Sequence, residues 1–388
     1  MQHATSPSPL PAPAADALAH SGRVTAHIGA EIAAAGGWLA FERYMDLALY
    51  APGLGYYAAG AAKFGAAGDF VTAPEISSLF GQSLARQVAQ VLAASSPHVL
   101  EFGAGTGKLA ADVLNSLGAA CQSYAILEPS PDLRARQAET LRRLAPAHTA
   151  KARWLDQLPA QFAGAVIANE VIDAMPVHLV HASEGDITER GVTLDAENRF
   201  AWADRPASGT VLDEAQTLGL NQEHDYLTEI NLAARAWVTA LAGMLTKGAA
   251  LIIDYGFPAR EYYHPQRNRG TLMCHYRHHA HADPFLWPGL TDITAHVDFT
   301  ALADSAEAAG LALAGYTSQA AFLLDCGLTD LLAQVPAADS ARYLPLTNQA
   351  NRLISPAEMG ELFKVMLLTR DLAIEPLGFR SSDRSHRL

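Results

Sequence analysis

The stretch His98-Val-Leu-Glu-Phe-Gly-Ala-Gly-Thr-Gly107 decides the fold of this 388-residue chain. Its first five residues form a short, mostly apolar run, which predicts a buried parallel strand over 98–102. Gly103, Gly105 and Gly107 follow, and the segment after them carries apolar residues on one helical face. A strand, a glycine-rich turn and a helix form the first half of a nucleotide-binding α/β unit, because glycine lets the backbone turn tightly and approach a ligand.

The spacing of these glycines narrows the choice of ligand. A dinucleotide fingerprint reads G-x-G-x-x-G and places phosphates at the helix N-terminus. Here the glycines alternate, and an acid, Glu101, stands near the end of the strand. A carboxylate there would repel a pyrophosphate and would suit a ligand with an ammonium group. The turn therefore favours S-adenosylmethionine (SAM), which carries an amino group and a sulfonium; an ordinary tight turn without a ligand is the alternative.

A second acid follows the next predicted strand, over 123–128. Glu128 ends this strand 23 residues beyond Gly105, close to the roughly 20 residues expected for the acid that binds ribose hydroxyls. We expect Glu128 to take that role. A solvated acid at a strand end is the alternative.

Composition and charge bound the class of protein. The chain is long enough for one embellished domain or two, and its apolar fraction of 50% is ordinary for a globular protein. No apolar run approaches the roughly 18 residues of a membrane helix. The formal net charge of −13 argues against nucleic acid as the main partner. The three cysteines are far apart, which argues against a disulfide framework or zinc site and favours a reducing cytoplasm.

Periodicity predicts how the chain is divided. Alternating strands and helices predict a parallel sheet with right-handed crossovers. One stretch alternates apolar and polar residues between turn signals, which predicts an inserted β-meander. The predicted division is a disordered leader over 1–21, an N-terminal helical lid region over 22–97, a core over 98–375 with insertions at about 177–215, 255–297 and 320–352, and a C-terminal tail over 376–388.

The fourth predicted strand ends in polar residues, within Asn169-Glu-Val-Ile-Asp173. Ligands bind at the carboxyl ends of the strands in open α/β sheets, so these residues should face the same crevice as Gly103 and Gly105. Glu170 and Asp173 could accept hydrogen bonds from a guanidinium, or take its proton as methyl transfer proceeds. The alternative is that they cap the following turn.

The histidine-rich run His275-Tyr-Arg-His-His-Ala-His281 invites interpretation as a metal site. No cysteine or carboxylate lies at compact ligand spacing except Asp283, and there is no HExxH pattern, so a hydrogen-bonded loop is favoured and no metal is expected. His296 and Asp298 alternate as at a strand end. They either line an acceptor pocket or have structural roles.

Several motifs together resemble one family. They are Leu49-Tyr-x-Pro-x-x-Gly-Tyr-Tyr57, Gly68-Asp-Phe-Val-Thr-Ala-Pro-Glu-Ile-Ser77, Glu101-Phe-Gly-Ala-Gly-Thr-Gly107, Leu127-Glu-Pro-Ser130, Ala168-Asn-Glu-Val-Ile-Asp-Ala-Met-Pro176, Asp254-Tyr-Gly256 and Asp292-Ile-Thr-Ala-His-Val-Asp-Phe299. The set resembles the MidA-like SAM-dependent methyltransferases, the family of the mitochondrial complex I assembly factor that methylates a protein arginine. The resemblance covers about residues 25–375, and the motif over 68–77 is much more specific than the glycine turn.

The resemblance implies an α/β fold, namely a class I, Rossmann-like methyltransferase sheet with a reversed last strand, and an N-terminal region that closes over SAM. Glu170 and Asp173 are then the expected catalytic pair, in an SN2 transfer of methyl from SAM to a nucleophilic nitrogen, with a protein arginine as the first candidate. The expected cofactor contacts are Thr72, Glu101, Gly103, Ala104, Gly105, Gly107, Glu128 and Asn169.

The setting of the protein is also an expectation. The acceptor is expected to be a protein, with a respiratory complex subunit as one candidate by analogy. The expected location is a bacterial cytoplasm, or a mitochondrion if the chain is eukaryotic. Two other functions stay open: a SAM-binding assembly chaperone without turnover and, against the glycine spacing, a nicotinamide oxidoreductase.

Overall fold

The computed structural model describes residues 10–59, 72–220 and 225–388. Within these residues the strands are β1 (Leu39–Ala40), β2 (His98–Phe102), β3 (Ser123–Leu127), β4 (Ala152–Leu155), β5 (Phe162–Asn169), β6 (His178–Ser183), β7 (Asp186–Leu194), β8 (Phe200–Pro206), β9 (Tyr226–Ile230), β10 (Leu245–Phe257), β11 (Met273–Tyr276), β12 (His279–His281), β13 (Asp292–Thr294), β14 (Val297–Asp298), β15 (Ala312–Ser318) and β16 (Phe363–Arg370). The α-helices are α1 (Ala15–Ala34), α2 (Phe41–Tyr50), α3 (Ala73–Ile76), α4 (Ser78–Ala94), α5 (Lys108–Leu117), α6 (Pro131–Leu144), α7 (Gly209–Thr217), α8 (Leu232–Met244), α9 (Ala259–Tyr262), α10 (Phe299–Ala308), α11 (Gln319–Asp325), α12 (Leu328–Ala333) and α13 (Ser340–Ile354).

The chain divides into two compact units, each built from three segments. The described parts of Met1–Phe70, Pro176–Ile230 and Gly270–Thr294 form the first unit, and Val71–Met175, Asn231–Arg269 and Ala295–Leu388 form the second. The predicted lid region over 22–97 is therefore not one piece. Its last part belongs to the second unit, because α4 buries its apolar face, including Leu84 and Val88, in the core of that unit.

The second unit is built on a sheet of strand order β15-β16-β10-β5-β2-β3-β4, with β14 paired to the end of β10. Neighbouring strands from β10 to β4 are parallel, and β16 runs antiparallel to both β10 and β15. This reversed strand agrees with the sheet that the resemblance implies. Phe102 lies opposite Ala168 on one side and Leu127 on the other, so the glycine turn, Glu128 and Asn169 leave the sheet at one edge.

Apolar side chains cover both faces of this sheet. Val99 of β2 packs in a cluster with α4 and α5, whereas Leu100 and Phe102 pack in another with α8 and α10. Leu251 and Ile252 of β10 are divided between the two clusters in the same way. Burial on both faces explains why the parallel strands are nearly continuous apolar runs in the sequence.

The first unit contains the predicted β-meander. Strand β7 pairs antiparallel with both β6 and β8, in a sheet of order β1-β7-β6-β9. The insertion predicted over 255–297 is not a loop throughout, because it contains a sheet of order β12-β11-β13. Arg277 and His278, with φ of 47° and 64°, join β11 to β12. This two-residue turn has no glycine, which explains why the sequence did not show the hairpin.

Helix α1 corrects the predicted leader over 1–21. Residues 1–9 lie outside the described part of the chain, but the helix begins at Ala15. Ser21, Val24, Ile28 and Ile32 recur every three or four residues and are buried. This buried face, together with the high helix propensity of alanine, produces order where composition predicted disorder.

The predicted C-terminal tail over 376–388 is packed into the second unit. Phe379 is buried. The amide of Gly378 donates to Gln87 Oε1 at 3.0 Å, and the amide of Leu377 donates to Gln90 Oε1 at 3.0 Å. These contacts anchor the tail to α4.

Candidate active site

The glycine turn after β2 requires its glycines. Gly103, Gly105 and Gly107 have φ of 61°, 51° and 82°, a region that other residues enter only with strain. A Cβ on Gly107 would lie 3.0 Å from Cα of Gln137, and a Cβ on Gly103 would lie 3.0 Å from Cγ2 of Val171. No described atom lies within 4 Å of a Cβ on Gly105. The turn is therefore closely packed at both ends and open in the middle, where a ligand can approach the backbone.

Glu128 is held beside this turn by Gln137, a residue of α6. Glu128 Oε1 accepts from the amide of Ser130 at 3.0 Å, and Oε2 accepts from Gln137 Nε2 at 3.1 Å. The same Gln137 amide group donates to the carbonyl of Gly105 at 3.1 Å, and its Oε1 accepts from Trp154 Nε1 at 2.8 Å. These bonds orient the Glu128 carboxylate at the strand end, where a ribose-binding acid is expected.

Glu101 lies beneath the turn and is nearly inaccessible to solvent. Its Oε2 accepts from the hydroxyl of Tyr124 at 2.8 Å. Burial raises the pKa of Glu101 to about 8, although the bond from Tyr124 acts in the opposite direction. The side chain is therefore mostly neutral at pH 7, and a cation that approached it would lower this pKa.

We expect Glu101→Gln to weaken the pH dependence of stability. The folded-state pKa of about 8 exceeds the ordinary value of 4.5, so the folded state holds more protons in this window and stability falls as pH rises through it. Glutamine keeps an acceptor for Tyr124 but carries no charge. Between pH 5 and pH 9 the melting temperature of the variant should fall by several degrees less than that of the wild type. Glu307→Gln, at an exposed site on α10, is the matched control, and parallel slopes for all three proteins would contradict the assignment.

Asn169, Glu170 and Asp173 lie where β5 ends, beside the glycine turn. Asn169 Nδ2 donates to Glu170 Oε1 at 3.1 Å. Glu170 is partly buried and has a φ of 53°, which is rare for a residue other than glycine and typical of functional sites. The structure thus brings together the two predicted catalytic acids, next to a turn whose Gly103 faces Val171 of the same loop.

Two buried oxygens in this loop are available to a ligand. The Tyr255 hydroxyl donates to the carboxylate of Asp173, but Asp173 Oδ1 has no hydrogen-bond partner among the described residues. Asn169 Oδ1 likewise has no hydrogen-bond partner within the described residues. A buried acceptor without a donor costs about 1–3 kcal/mol, so a ligand rich in N–H groups would be stabilised here.

Burial also makes both acids able to hold a proton near neutral pH. Burial raises the pKa of Asp173 to about 6. Burial and the neighbouring Asp173 together raise the pKa of Glu170 to about 8. Because the two carboxyl groups interact, they take up and release protons as a pair.

Asp254, at the end of β10, positions this loop, a role that sequence reasoning missed. It is fully buried, and its Oδ2 accepts from the amides of residues 171–173 at 3.2, 2.9 and 3.2 Å. Its Oδ1 accepts from the amide of Tyr255 at 2.9 Å. One carboxylate therefore sets the backbone between Glu170 and Asp173. In the sequence, the motif Asp254-Tyr-Gly256 marks this residue, but there it indicates only the family resemblance.

Helix α3 touches both sides of the site. The hydroxyl of Thr106, in the glycine turn, donates to the carboxylate of Glu75. The backbone amide of Ala73, in the same helix, favours the charged form of Glu170 and so acts to lower its pKa. Thr72 precedes the helix, and its side chain does not cap it. The first part of the family motif, residues 68–71, lies outside the described residues.

His296 and Asp298 separate into two roles. Asp298 caps α10, because its Oδ1 accepts from the amides of Thr300 and Ala301 at 3.0 and 3.1 Å. His296 lies parallel to the ring of Phe257, with 5.2 Å between centroids, and meets Tyr255 edge-on at 5.0 Å. Since Tyr255 also contacts Asp173, His296 lies one residue away from the predicted catalytic pair.

In the described ranges, the structure contains no helix with the length and apolar character needed to span a bilayer. Groups of three or more His, Cys, Asp or Glu side chains that could hold a metal ion do not occur in those ranges.

Comparison with known proteins decides the family. A family described as "Putative S-adenosyl-L-methionine-dependent methyltransferase" matches residues 83–317, well over half of the chain. The chain belongs to this family. The matched range includes the glycine turn, Glu128, the 169–173 loop and Asp254, so the features described above lie within the shared region. The predicted family resemblance is confirmed, and the protein is a methyltransferase that uses SAM.

Individual relatives of this methyltransferase support the same family assignment. A crystal structure of a "likely methyl transferase" from Burkholderia thailandensis, bound to S-adenosyl-homocysteine, is 51% identical, with a TM-score of 0.93, and the match covers 98% of this chain and 100% of that chain. "Protein arginine methyltransferase NDUFAF7, mitochondrial" of Danio rerio is 31% identical over 376 residues, 87% of this chain and 85% of its own. The NDUFAF7 homolog of Drosophila melanogaster is 31% identical over 370 residues, 84% and 80% of the two chains. The predicted methyltransferase fold and SAM cofactor are confirmed, and the oxidoreductase alternative loses its support.

Proposed function

We propose that this methyltransferase transfers a methyl group to a guanidinium nitrogen of a protein arginine. The observation that carries the proposal is the buried Oδ1 of Asp173, which has no partner among the described residues, beside the carboxylate of Glu170. A guanidinium presents five N–H donors in a plane and matches carboxylates geometrically. The names of the fish and insect relatives, which are protein arginine methyltransferases, support the same acceptor.

The residues of the glycine turn and the neighbouring strand ends fit SAM as the methyl donor. The turn is open at Gly105, and Glu128 is held at the strand end by Gln137. Glu101 lies below the turn, where an ammonium group would stabilise its charged form. The proposed cofactor contacts are Thr72, Glu101, Gly103, Ala104, Gly105, Gly107, Glu128 and Asn169.

Glu170 and Asp173 are the proposed catalytic residues. When bound, SAM supplies a methyl group on a positively charged sulfur, from which a nitrogen lone pair can displace it. The two carboxylates orient the guanidinium and hold it in line for this displacement, which is the main requirement when the donor is already reactive. The methylated guanidinium must also lose one N–H proton. Glu170 or Asp173 accepts it, because the raised pKa of each makes it a better base than an ordinary carboxylate.

The acceptor can be identified by labelling. The purified protein is incubated with methyl-tritiated SAM and a lysate from source cells that lack its gene, and labelled proteins are hydrolysed and analysed by mass spectrometry. We expect label in methylarginine. Label in lysine, histidine or a carboxyl group would contradict the proposed acceptor. Full SAM binding by calorimetry with no labelled protein would instead favour the SAM-binding assembly chaperone.

The pH profile of the reaction tests the proposed acids. Both must be ionised to bind a guanidinium, and their pKa values are raised to about 8 for Glu170 and about 6 for Asp173. We therefore expect kcat/KM for the acceptor to rise from pH 5.5 to about pH 8.5, by roughly tenfold per pH unit where one group titrates. The rise in kcat should lie at lower pH, because a bound cation lowers both pKa values. A profile that falls with pH over this range would contradict the assignment.

We further propose that the acceptor is a subunit of a respiratory complex and that the protein acts in a bacterial cytoplasm. The resemblance to the family of the complex I assembly factor supports the first point. The 51% identity to the Burkholderia protein supports a bacterial setting, whereas the two curated relatives are named as mitochondrial proteins. Mass spectrometry of the labelled protein tests the acceptor, and cell fractionation tests the location.

A further inference from the structure

We infer that Gln137 is a positioning residue for cofactor selection: its side-chain amide, held by Trp154 of β4, fixes the Glu128 carboxylate in the orientation that receives the two ribose hydroxyls of SAM. The inference rests on the proposed function, because it concerns the proposed contact between Glu128 and the cofactor. It gives β4, the last strand of the sheet, a part in distinguishing an intact ribose from one that lacks its hydroxyls.

The amide nitrogen of Gln137 joins the acid to the glycine turn. Gln137 is fully buried. Its Nε2 donates to Glu128 Oε2 and to the carbonyl of Gly105, in each case at 3.1 Å. These two bonds use both N–H groups of the side chain. One residue of α6 therefore ties the acid at the end of β3 to the open middle of the turn.

Trp154 decides which way the Gln137 amide points. Trp154 Nε1 donates to Gln137 Oε1 at 2.8 Å, and an indole nitrogen can only donate. If the amide turned over, its NH2 group would face this donor, and its oxygen would face the Glu128 carboxylate and the Gly105 carbonyl, which are both acceptors. Buried groups of like kind facing each other lose their hydrogen bonds without replacement by water. The indole therefore selects the orientation that supports Glu128.

The backbone on both sides of this contact is also fixed. The amide of Glu128 donates to the carbonyl of Leu155, in β4, at 3.3 Å. The Arg134 guanidinium, from α6, donates to the same carbonyl at 3.0 Å and to the carbonyl of Glu128. A Cβ on Gly107 would lie 3.0 Å from Cα of Gln137, so the helix backbone lies against the turn. With the backbone held, the side-chain bonds set the direction of the carboxylate.

The acceptor sites that remain on Glu128 match a diol. A carboxylate offers about four lone-pair sites, shared equally by its two oxygens. Among the described residues, Oε1 accepts from the amide of Ser130 and Oε2 accepts from Gln137. One site therefore stays open on each oxygen, and the neighbouring hydroxyls of a ribose present one O–H donor for each. The same two bonds favour the charged form of Glu128 against the effect of burial, and a charged acceptor forms the stronger hydrogen bonds.

Calorimetry with two ligands tests the role of Gln137. The ligands are S-adenosylhomocysteine (SAH) and its 2′,3′-dideoxy analogue, which lacks both ribose hydroxyls. We expect the wild type to bind SAH at least about 20-fold more tightly than the analogue, because buried acceptors are left unpaired when the hydroxyls are missing. Gln137→Met keeps the length of the side chain and removes its amide. It should weaken SAH binding about tenfold or more and analogue binding less than about threefold.

Trp154→Phe extends the test and serves in its place if Gln137→Met does not fold. Phenylalanine keeps an aromatic ring on β4 but has no N–H group, so the Gln137 amide can turn over. We expect SAH affinity to fall about threefold to tenfold and analogue affinity to change less than about twofold. Trp202→Phe, on β8 of the first unit, is the matched control and should keep both affinities. Wild-type preference for SAH in Trp154→Phe would overturn the role of Trp154.

The remaining outcomes separate this inference from the function on which it rests. Equal losses for SAH and the analogue in Gln137→Met would show that Gln137 only supports the turn, and unchanged SAH affinity would also overturn its role. Under saturating SAM, kcat of Gln137→Met should stay within about threefold of the wild type while KM for SAM rises. Unchanged SAH affinity in Glu128→Gln would refute the proposed ribose contact itself. A loss confined to SAH in Glu128→Gln, with wild-type binding in Gln137→Met, would refute only the role of Gln137.

Discussion

Glu170→Gln should lower the rate of methylation at least about 100-fold and leave SAM affinity within a few fold. Glutamine has nearly the same shape, but it carries no charge to pair with a guanidinium and cannot take a proton from it. A positioned base contributes about 10²–10⁴-fold to such reactions. The retained SAM affinity follows from the position of Glu170, which lies on the 169–173 loop rather than in the glycine turn. Single-turnover methylation of the labelled acceptor and SAM calorimetry measure the two effects.

One control variant makes this result specific to Glu170. Glu307→Gln, on the exposed face of α10, carries the same chemical change away from the site and should behave as the wild type. A fully active Glu170→Gln protein would remove Glu170 from the reaction. Loss of SAM binding would assign it to the cofactor instead.

Asp254→Ala should lower the rate of methylation by about 100-fold or more and should also lower the free energy of unfolding. The substitution leaves the amides of residues 171–173 and of Tyr255 without their buried acceptor. Each unpaired buried amide costs about 1–3 kcal/mol. Water entering the space left by the carboxylate can satisfy about half of the four amides, so we expect a total of about 2–5 kcal/mol. The loop between Glu170 and Asp173 would then relax, and a displacement of about 1 Å at a reacting group can cost about 100-fold in rate.

Asp254→Asn provides a graded comparison. Its single carbonyl oxygen can accept from the three loop amides, but its NH2 group must then face the amide of Tyr255, donor against donor. We expect intermediate stability and activity between the wild type and Asp254→Ala, by chemical unfolding and by the methylation assay. Asp304→Ala, at an exposed position of α10, is the matched control. Wild-type activity in Asp254→Ala would contradict a positioning role.

Much of the second unit follows from local sequence patterns. The predicted strand over 98–102 coincides with β2, and the one over 123–128 ends within one residue of β3. Buried parallel strands are short apolar runs, and glycines mark the turn, so both signals are visible without tertiary contacts. The convergence of Glu128 and Asn169 could be predicted as well, because parallel strands end at the same edge of a sheet.

The wrong predictions concern segments whose structure depends on contacts between distant parts of the chain. Helix α1 is ordered by burial of Val24 and Ile28, and the hairpin of β11 and β12 turns at Arg277 and His278 without a glycine. The hairpin lacks a strong local signal, and the buried period of α1 begins only at Ser21, at the end of the predicted leader. Packing against other segments of the first unit provides the stabilisation, and composition alone does not report it.

By itself, the sequence determined the parallel sheet, the edge at which its ligands bind and the acids that stand there, because these depend on local periodicity and on strand ends. Only the tertiary structure decided which of those acids are ionised and how they are held. Glu101 and Glu170 have a pKa raised to about 8 by burial. The carboxylate of Asp254, distant in the chain, sets the position of the 169–173 loop. A carboxylate's charge depends on its surroundings in three dimensions, and those surroundings exist only once the chain has folded.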